Sequence, residues 1–460
     1  MMLSKNDIID AEITAYGSEG EGIAKIDGYP VFVPYTAVGD KIKLKILKAG
    51  KSFAFGKAEE IIVPSPDRGG DLCPVFTKCG GCSIMHLKYD AQLSLKRQKV
   101  VDALERIGSF RGIEVSEICG MENPVNYRNK IQVPVSGEGG KIIAGFYAPR
   151  SHRPVACTGC TLQHPENEKY LNAVLRWMEK YKIQPYDEQT HTGTVRHIYT
   201  RIGFKTGEVM VSVIANAKKL PFADELCEIL KEIKSEKLIL KSVMHNINTE
   251  KTNVVLGEKS KVLFGREFIY DYLDNLKFKI SHNSFYQVNP VMTEKLYKKA
   301  VDLLGDVSEK RVFDIYCGIG TVTLFVARRA KSVIGVEYVK SAVIDAKENA
   351  KENNITNTTF YQGDANRVIP DLYRQGITAD AVVVDPPRKG LGEELLNTLA
   401  KMNPEKIVYI SCNAATLARD LKFLCEHGYE IKEVHPFDQF PSTAHVEVII
   451  KMQLVDSKEK

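Results

Sequence analysis

Val312-Phe313-Asp314-Ile315-Tyr316-Cys317-Gly318-Ile319-Gly320-Thr321 is the stretch on which the fold of this 460-residue chain turns. Its first five residues have the apolar character of a buried strand, and two glycines in the turn that follows let backbone amides approach a ligand closely. Thr321-Val322-Thr323 then opens a helix, so Tyr316, Gly318 and Gly320 stand at the carboxyl edge of a strand, where open α/β sheets bind nucleotide-like ligands. The next strand ends in Gly335-Val336-Glu337, 17 residues after Gly320. A carboxylate there can accept hydrogen bonds from both hydroxyls of a ribose.

Outward from this stretch the pattern repeats. A helix over Met292 to Leu304 precedes strands at Arg311 to Tyr316, Val333 to Glu337, Thr359 to Gln362, Ala381 to Asp385 and Lys406 to Ser411, with helical text between them. That alternation predicts a doubly wound parallel sheet. Gly363-Asp364, after the third strand, reads either as a carboxylate for an adenine amino group or as an ordinary turn. The Gly-x-Gly turn with an acidic strand end serves nicotinamide enzymes and methyltransferases alike. Two features favour the second: the third glycine of the dinucleotide fingerprint is replaced in Thr321-Val322-Thr323, and the fourth strand ends in Asp385-Pro386-Pro387-Arg388, a turn suited to modification of a base.

The fifth strand delivers Cys412-Asn413 to the same edge. A thiol beside a methyl donor suits covalent catalysis. Carbon 5 of uracil is too weak a nucleophile to accept a methyl group from a sulfonium, whereas thiolate addition at carbon 6 turns the ring into an enolate that can. The carbon 5 proton must then be removed, and Thr443-Ala444-His445-Val446-Glu447, opening a late strand, offers a carboxylate and an imidazole. Glu447 is the expected base, with His445 an orienter or a structural histidine. Asp385 can accept the N3 proton that uracil has and cytosine lacks. Arg388 either polarises the ring and holds a phosphate or is an exposed surface residue. Its place after the two prolines speaks against a cytosine-5 enzyme, which would carry a cysteine there, and against an amino-group methylase, which would carry an aromatic.

The amino-terminal part has another texture. Short strands from Ile8 to Ile62, broken by glycines, predict a small five-stranded barrel, and alternation at Lys41-Ile42-Lys43-Leu44-Lys45-Ile46 puts three lysines on one face. That stripe is either a phosphate track or a solvated face. Val63-Pro64-Ser65-Pro66-Asp67 marks a boundary. The chain is thus divided into a barrel over 1–62, a central α+β region over 63–290, an α/β domain over 291–454 and a tail over 455–460. Apolar residues make up 44% and charged residues 26%, which excludes wholesale disorder, and a net charge of +5 tolerates a polyanionic partner without demanding one. No basic start precedes an apolar core, and no apolar run reaches the roughly 18 residues of a membrane span. A cytoplasmic protein with no membrane association is expected, as a monomer without a protein partner.

Phe285-Tyr286-Gln287-Val288-Asn289, the stretch from Asp314 to Gly320, Asp385-Pro386-Pro387-Arg388, Ser411-Cys412-Asn413 and His445-Val446-Glu447 together resemble the RNA uracil-5-methyltransferase family over nearly the whole chain. Within it the chain is similar to the branch that acts on 23S ribosomal RNA, because the barrel resembles a TRAM domain and Cys73-Pro74, Cys79-Gly80-Gly81-Cys82 resembles an iron-sulfur motif. The resemblance implies that Gln287, Tyr316, Gly318, Gly320, Glu337, Asp364 and Asp385 line an S-adenosylmethionine and base pocket. It also implies that Cys412 is the nucleophile, that Glu447 takes the proton, and that Phe285 stacks on a base flipped out of the RNA. A 4Fe-4S cluster would be held by Cys73, Cys79, Cys82 and Cys160, in a structural or RNA-recognising role, since methyl transfer needs no electron. Cys157 complicates the assignment: Cys79-x2-Cys82 with Cys157-x2-Cys160 also suits a four-thiolate zinc site. Cys119, Cys227, Cys317 and Cys425 read as core or incidental thiols. Three other readings stand beside this one: a tRNA uracil-5-methyltransferase, a non-catalytic RNA-binding or ribosome-assembly factor, and an iron-sulfur oxidoreductase.

Overall fold

The computed structural model describes residues 3–69, 73–156 and 158–455. Cys157 and all of the expected tail except Val455 lie outside the described residues.

Five strands near the amino terminus close into a barrel in the order β1-β2-β3-β5-β4: β1 (Ile8–Tyr16), β2 (Gly22–Ile26), β3 (Tyr29–Val33), β4 (Lys41–Ala49) and β5 (Ala54–Val63). Strand alternation sends Ile42, Leu44 and Ile46 into the barrel core with Ile13, Val31 and Val33, and turns Lys41, Lys43 and Lys45 outward. The lysine stripe is not bare. Lys43 lies 4.0 Å from Glu60, Lys45 3.4 Å from Glu59 and Lys57 3.1 Å from Glu59. Asp10 and Glu12 face Lys43 and Lys41 across β1. Carboxylates on both neighbouring strands offset much of the positive charge, which favours the solvated-face reading.

Helix α1 (Tyr89–Arg106) leads into a mixed sheet in the order β12-β11-β10-β9-β6-β7-β8. Its strands are β6 (Lys130–Glu138), β7 (Lys141–Tyr147), β8 (Pro154–Ala156), β9 (Val195–Ile202), β10 (Glu208–Ala215), β11 (Ile239–Ile247) and β12 (Lys259–Gly265). Helices α2 (Asn167–Lys180) and α3 (Ala223–Lys231) cover one face, where Trp177 and Leu226 share a core with Ile198 and Val211. Helix α1 itself sends Val100, Ala103 and Leu104 into the core of the carboxy-terminal sheet. The hairpin of β13 (Phe268–Leu273) and β14 (Leu276–Ser281) likewise packs with residues of that last part.

The remainder is α4 (Pro290–Leu304), β15 (Arg311–Ile315), α5 (Thr321–Ala327), β16 (Ser332–Glu337), α6 (Lys340–Glu352), β17 (Thr358–Gln362), α7 (Ala365–Arg374), β18 (Ala381–Val384), α8 (Glu393–Met402), β19 (Lys406–Ser411), α9 (Ala414–Glu426), β20 (Tyr429–Phe437) and β21 (Glu447–Leu454). The strands order as β17-β16-β15-β18-β19-β21-β20. Runs such as Ala381-Val382-Val383-Val384 are buried on both faces, as central parallel strands require. The sheet is not parallel throughout. Six strands run in one direction and β21 alone runs against them, antiparallel to β19 and β20, because no helix separates β20 from β21. Among the described residues no helix is long and apolar enough to cross a membrane.

Candidate active site and thiol cavity

Strand order reverses between β15 and β18, and the crevice at their carboxyl ends is where such sheets bind ligands. The turn after β15 is unusual: Tyr316 sits at φ 72°, a conformation that costs a bulky side chain energy. The Tyr316 and Cys317 amides both donate to the Val336 carbonyl, at 2.9 and 3.1 Å, fixing the turn against β16. Beside Gly318 there is open space where a side chain would stand, and its amide donates to Glu337 Oε2 at 3.1 Å. Glu337 Oε1 accepts from the Val339 amide at 2.7 Å. Each oxygen is thus oriented by one amide and keeps a lone pair for a ribose hydroxyl. Asp364 caps α7, accepting from the Asn366 amide at 2.9 Å, so its turn reading has a structural basis.

The antiparallel last strand sets up the chemistry. Its ladder with β19 ends at Ser411 opposite Val448, so the next residues outward on the two strands are Cys412 and Glu447. A parallel β21 would have carried its first residue to the far end of the sheet. Cys412 immediately precedes Asn413, the cap of α9, whose side chain accepts from the Ala415 amide at 3.0 Å and donates to the Arg388 carbonyl at 3.0 Å. The nucleophile candidate is therefore tied to the turn that carries Asp385.

Burial dominates the ionisation of these groups. It raises Asp314 to about 7, helped by Glu337, and Asp385 to about 7, helped by Asp314. Glu447 is 4% exposed and is pushed well above the ordinary carboxylate range by burial and by Asp385. Burial, then Glu447 and Asp385, raise Cys412 to about 11, against which Arg388 pulls down. Cys412 is therefore a thiol at neutral pH. Thr323 donates to Asp314 at 2.5 Å, while the other Asp314 oxygen has no partner.

Of the remaining candidates, Phe285 is 66% exposed and Gln287 is half-buried, its carbonyl accepting from Asn129 at 2.9 Å. Arg388 is exposed. Burial, Arg388 and Lys99 hold His445 below its ordinary value. The sequence reading passed over a set of residues that holds the segment before Glu447: Lys96 and Asp438 form a fully buried ion pair, Tyr89 donates to Asp438 at 2.9 Å, and Gln439 donates to Thr293 at 2.7 Å. A lysine inside a helix with apolar neighbours was the only signal for this pair.

Cys73, Cys79, Cys82 and Cys160 line one cavity of about 230 Å³, walled by Val75, Phe76, Met85, Ile131, Phe146 and Leu162. Burial raises the Cys82 thiol to about 12, and Cys160, Cys79 and Cys73 add to the rise. Among the described residues no three or more His, Cys, Asp or Glu are grouped so that they could hold a metal ion as they stand. The convergence of the four thiols fits the expected ligand set, and their present grouping falls short of a formed metal centre.

Comparison with known proteins agrees with this geometry. Residues 227–454 match the tRNA (uracil-5-)-methyltransferase family and residues 4–58 the TRAM domain. An uncharacterized RNA methyltransferase of Clostridium tetani is 46% identical over 458 residues, covering 100% of this chain and 99% of its own. One of Listeria monocytogenes is 45% identical over 98% of this chain and 99% of its own. The crystal structure of Pyrococcus abyssi tRNA (uracil-54, C5)-methyltransferase with S-adenosyl-L-homocysteine superposes with a TM-score of 0.77 at 28% identity, covering 96% of this chain and 100% of that one. With the donor site, the thiol and the carboxylates at one sheet edge, the chain belongs to the RNA uracil-5-methyltransferase family, as an S-adenosylmethionine-dependent enzyme that carries an amino-terminal TRAM domain.

Proposed function

We propose that this enzyme methylates carbon 5 of a uridine in 23S ribosomal RNA through a covalent bond between Cys412 and carbon 6. The observation that carries the reading is the antiparallel β21, which brings Glu447 beside Cys412 at the edge where Asp385 and the Tyr316–Gly320 turn meet. Cys412 first loses its proton to solvent, helped by Arg388 and by the amino end of α9. The thiolate adds to carbon 6, with Asp385 accepting from the uracil N3 and Phe285 stacking on the flipped ring. S-adenosylmethionine supplies the methyl group, held by Glu337 at its ribose and by Tyr316, Gly318, Gly320, Asp364 and Gln287 around it. Glu447, having first given its own carboxyl proton to solvent, takes the carbon 5 proton, and the electron pair of that bond restores the double bond as the thiolate leaves and is reprotonated by solvent. Uridine and the sulfonium become 5-methyluridine, the thioether and one proton.

The four-thiol cavity supports a 4Fe-4S cluster on Cys73, Cys79, Cys82 and Cys160. A single zinc with bonds of about 2.3 Å would draw four sulfurs into one tight group. Four thiols lining one cavity of about 230 Å³ match the four-cysteine ligation of a 4Fe-4S cluster. The cluster would supply a structural tie between the 73–82 stretch and Cys160.

A second reading is a tRNA substrate. The Pyrococcus enzyme acts on tRNA and matches 96% of this chain, a span that includes the barrel. The barrel therefore does not by itself weigh against tRNA. Unmodified 23S ribosomal RNA and unmodified tRNA, each incubated with enzyme and S-adenosylmethionine and digested for mass spectrometry, separate the two. 5-Methyluridine in ribosomal RNA alone supports the first, and product in tRNA alone replaces it with the second.

A further inference from the structure

The thiol cavity and the proton acceptor are not separate regions. Ser83 and Ile84, directly after Cys82, both donate backbone amides to the Ser442 carbonyl at 3.1 Å. The Ser83 hydroxyl accepts from the Ala444 amide at 3.1 Å. Ser442 sits at φ 69°, a left-handed conformation that a serine holds only when its surroundings impose it. Its own amide donates to Gln92 at 2.8 Å. Lys99 closes the arrangement from the other side, donating to the Ala444 carbonyl at 3.0 Å and to the barrel carbonyl of Ser18 at 2.7 Å. Three residues beyond Ala444 stands Glu447.

We propose that the Cys82-Ser83-Ile84 segment is a brace for the catalytic base, with Ser83 a positioning residue that acts through Glu447. The inference rests on Glu447 being the proton acceptor. Glu447 is the first residue of β21, held on its far side by its ladder partner Phe437 on β20, so the remaining control of its position lies with the backbone that precedes it. The Ser83 hydroxyl bonds that backbone directly, through the Ala444 amide. The brace bears most on proton removal, because the bonds of the thiol loop described above go to the Ser442–Ala444 backbone that leads into Glu447. Loss of the hydroxyl lets the Ala444 amide and the residues after it relax, and proton removal slows while the methylated adduct persists.

The test compares wild type, Ser83→Ala and Ser83→Thr on RNA carrying tritium at carbon 5 of uridine. Single-turnover methyl transfer and tritium release are timed separately, and the enzyme–RNA adduct is read on a denaturing gel. In Ser83→Ala, tritium release slows about tenfold, methyl transfer changes less than about threefold, and adduct accumulates. Ser83→Thr, which keeps the hydroxyl, restores release. Hydrogen exchange at the Ala444 amide, measured without RNA, quickens in Ser83→Ala while the β19 amides stay as in wild type. Equal slowing of both steps, or unchanged release, overturns the proposal. Glu447→Gln is run alongside: if it releases tritium at the wild-type rate, the acceptor assignment itself has failed and the brace falls with it.

Discussion

Cys412 and Cys82 carry the same side chain in two different settings, and both thiols are raised by burial, to about 11 and about 12. Around Cys82 the next contributions come from Cys160, Cys79 and Cys73, inside apolar walls. Around Cys412 they come from Glu447 and Asp385, with Arg388 pulling the other way. Several thiols that cannot ionise next to one another are a place for a positive centre, which makes them ionise together. A single thiol beside two carboxylates and an arginine is held neutral until a substrate arrives. Neighbours, rather than burial, separate the proposed ligand from the proposed nucleophile here.

The largest break of this comparison is Cys412→Ala. Methyl transfer should fall by at least roughly 10⁴-fold, because the proposed covalent route is lost, while the iron content expected of the proposed four-thiol cluster stays at the wild-type level. Residual turnover near wild type, measured by transfer of labelled methyl groups, would remove Cys412 from the mechanism.

Glu447→Gln should be the next most severe. Turnover should drop on the order of 10²–10⁴-fold, with a covalent enzyme–RNA complex that survives denaturation. A variant that turns over slowly without trapping RNA would move the proton acceptor to another residue, with His445 first in line.

The ionisation of Cys412 gives a smaller and graded effect. Because its thiol is raised to about 11, it is protonated below that value and the reactive thiolate grows as pH rises. Alkylation of Cys412 in RNA-free enzyme should quicken about tenfold per pH unit between 7 and 10. A plateau reached below pH 8 would show that the resting nucleophile is already ionised.

The smallest effect at the active site belongs to Cys82→Ser. The proposed cluster should be lost, read as iron content after anaerobic reconstitution, yet alkylation of Cys412 at fixed pH should match wild type. A changed alkylation rate would mean that the two thiol environments are coupled at the nucleophile and not only through the segment before Glu447.

Much of this was legible in the sequence. The β15 strand and turn, Glu337 at the end of β16, and Cys412 at the end of β19 are local patterns: an apolar run followed by a glycine turn, and the alternation of strands and helices, announce themselves within a few residues. The barrel was legible for the same reason, since Ile42, Leu44 and Ile46 alternate with lysines. The neutralisation of those lysines was not, because Asp10, Glu12, Glu59 and Glu60 come from other strands. Ser83 and Asp438 were equally hidden. A serine after a cysteine and an aspartate in a loop carry no signal until Ala444 and Lys96 are brought to them from hundreds of residues away.

By itself, then, the sequence determined which elements form and which of their ends carry reactive groups, since both follow from periodicity and from neighbours along the chain. Tertiary structure alone decided the direction of β21. Residues 438–446 permit a return in either sense; pairing with β19 and β20, with no helix available for a crossover, makes it antiparallel. That direction puts Glu447 beside Cys412 instead of a strand's length away. The cause is long-range: the backbone hydrogen bonds that select it come from β19 and β20, while the segment that feeds it is fastened by Lys96 and Ser83, none of which the local sequence of β21 encodes.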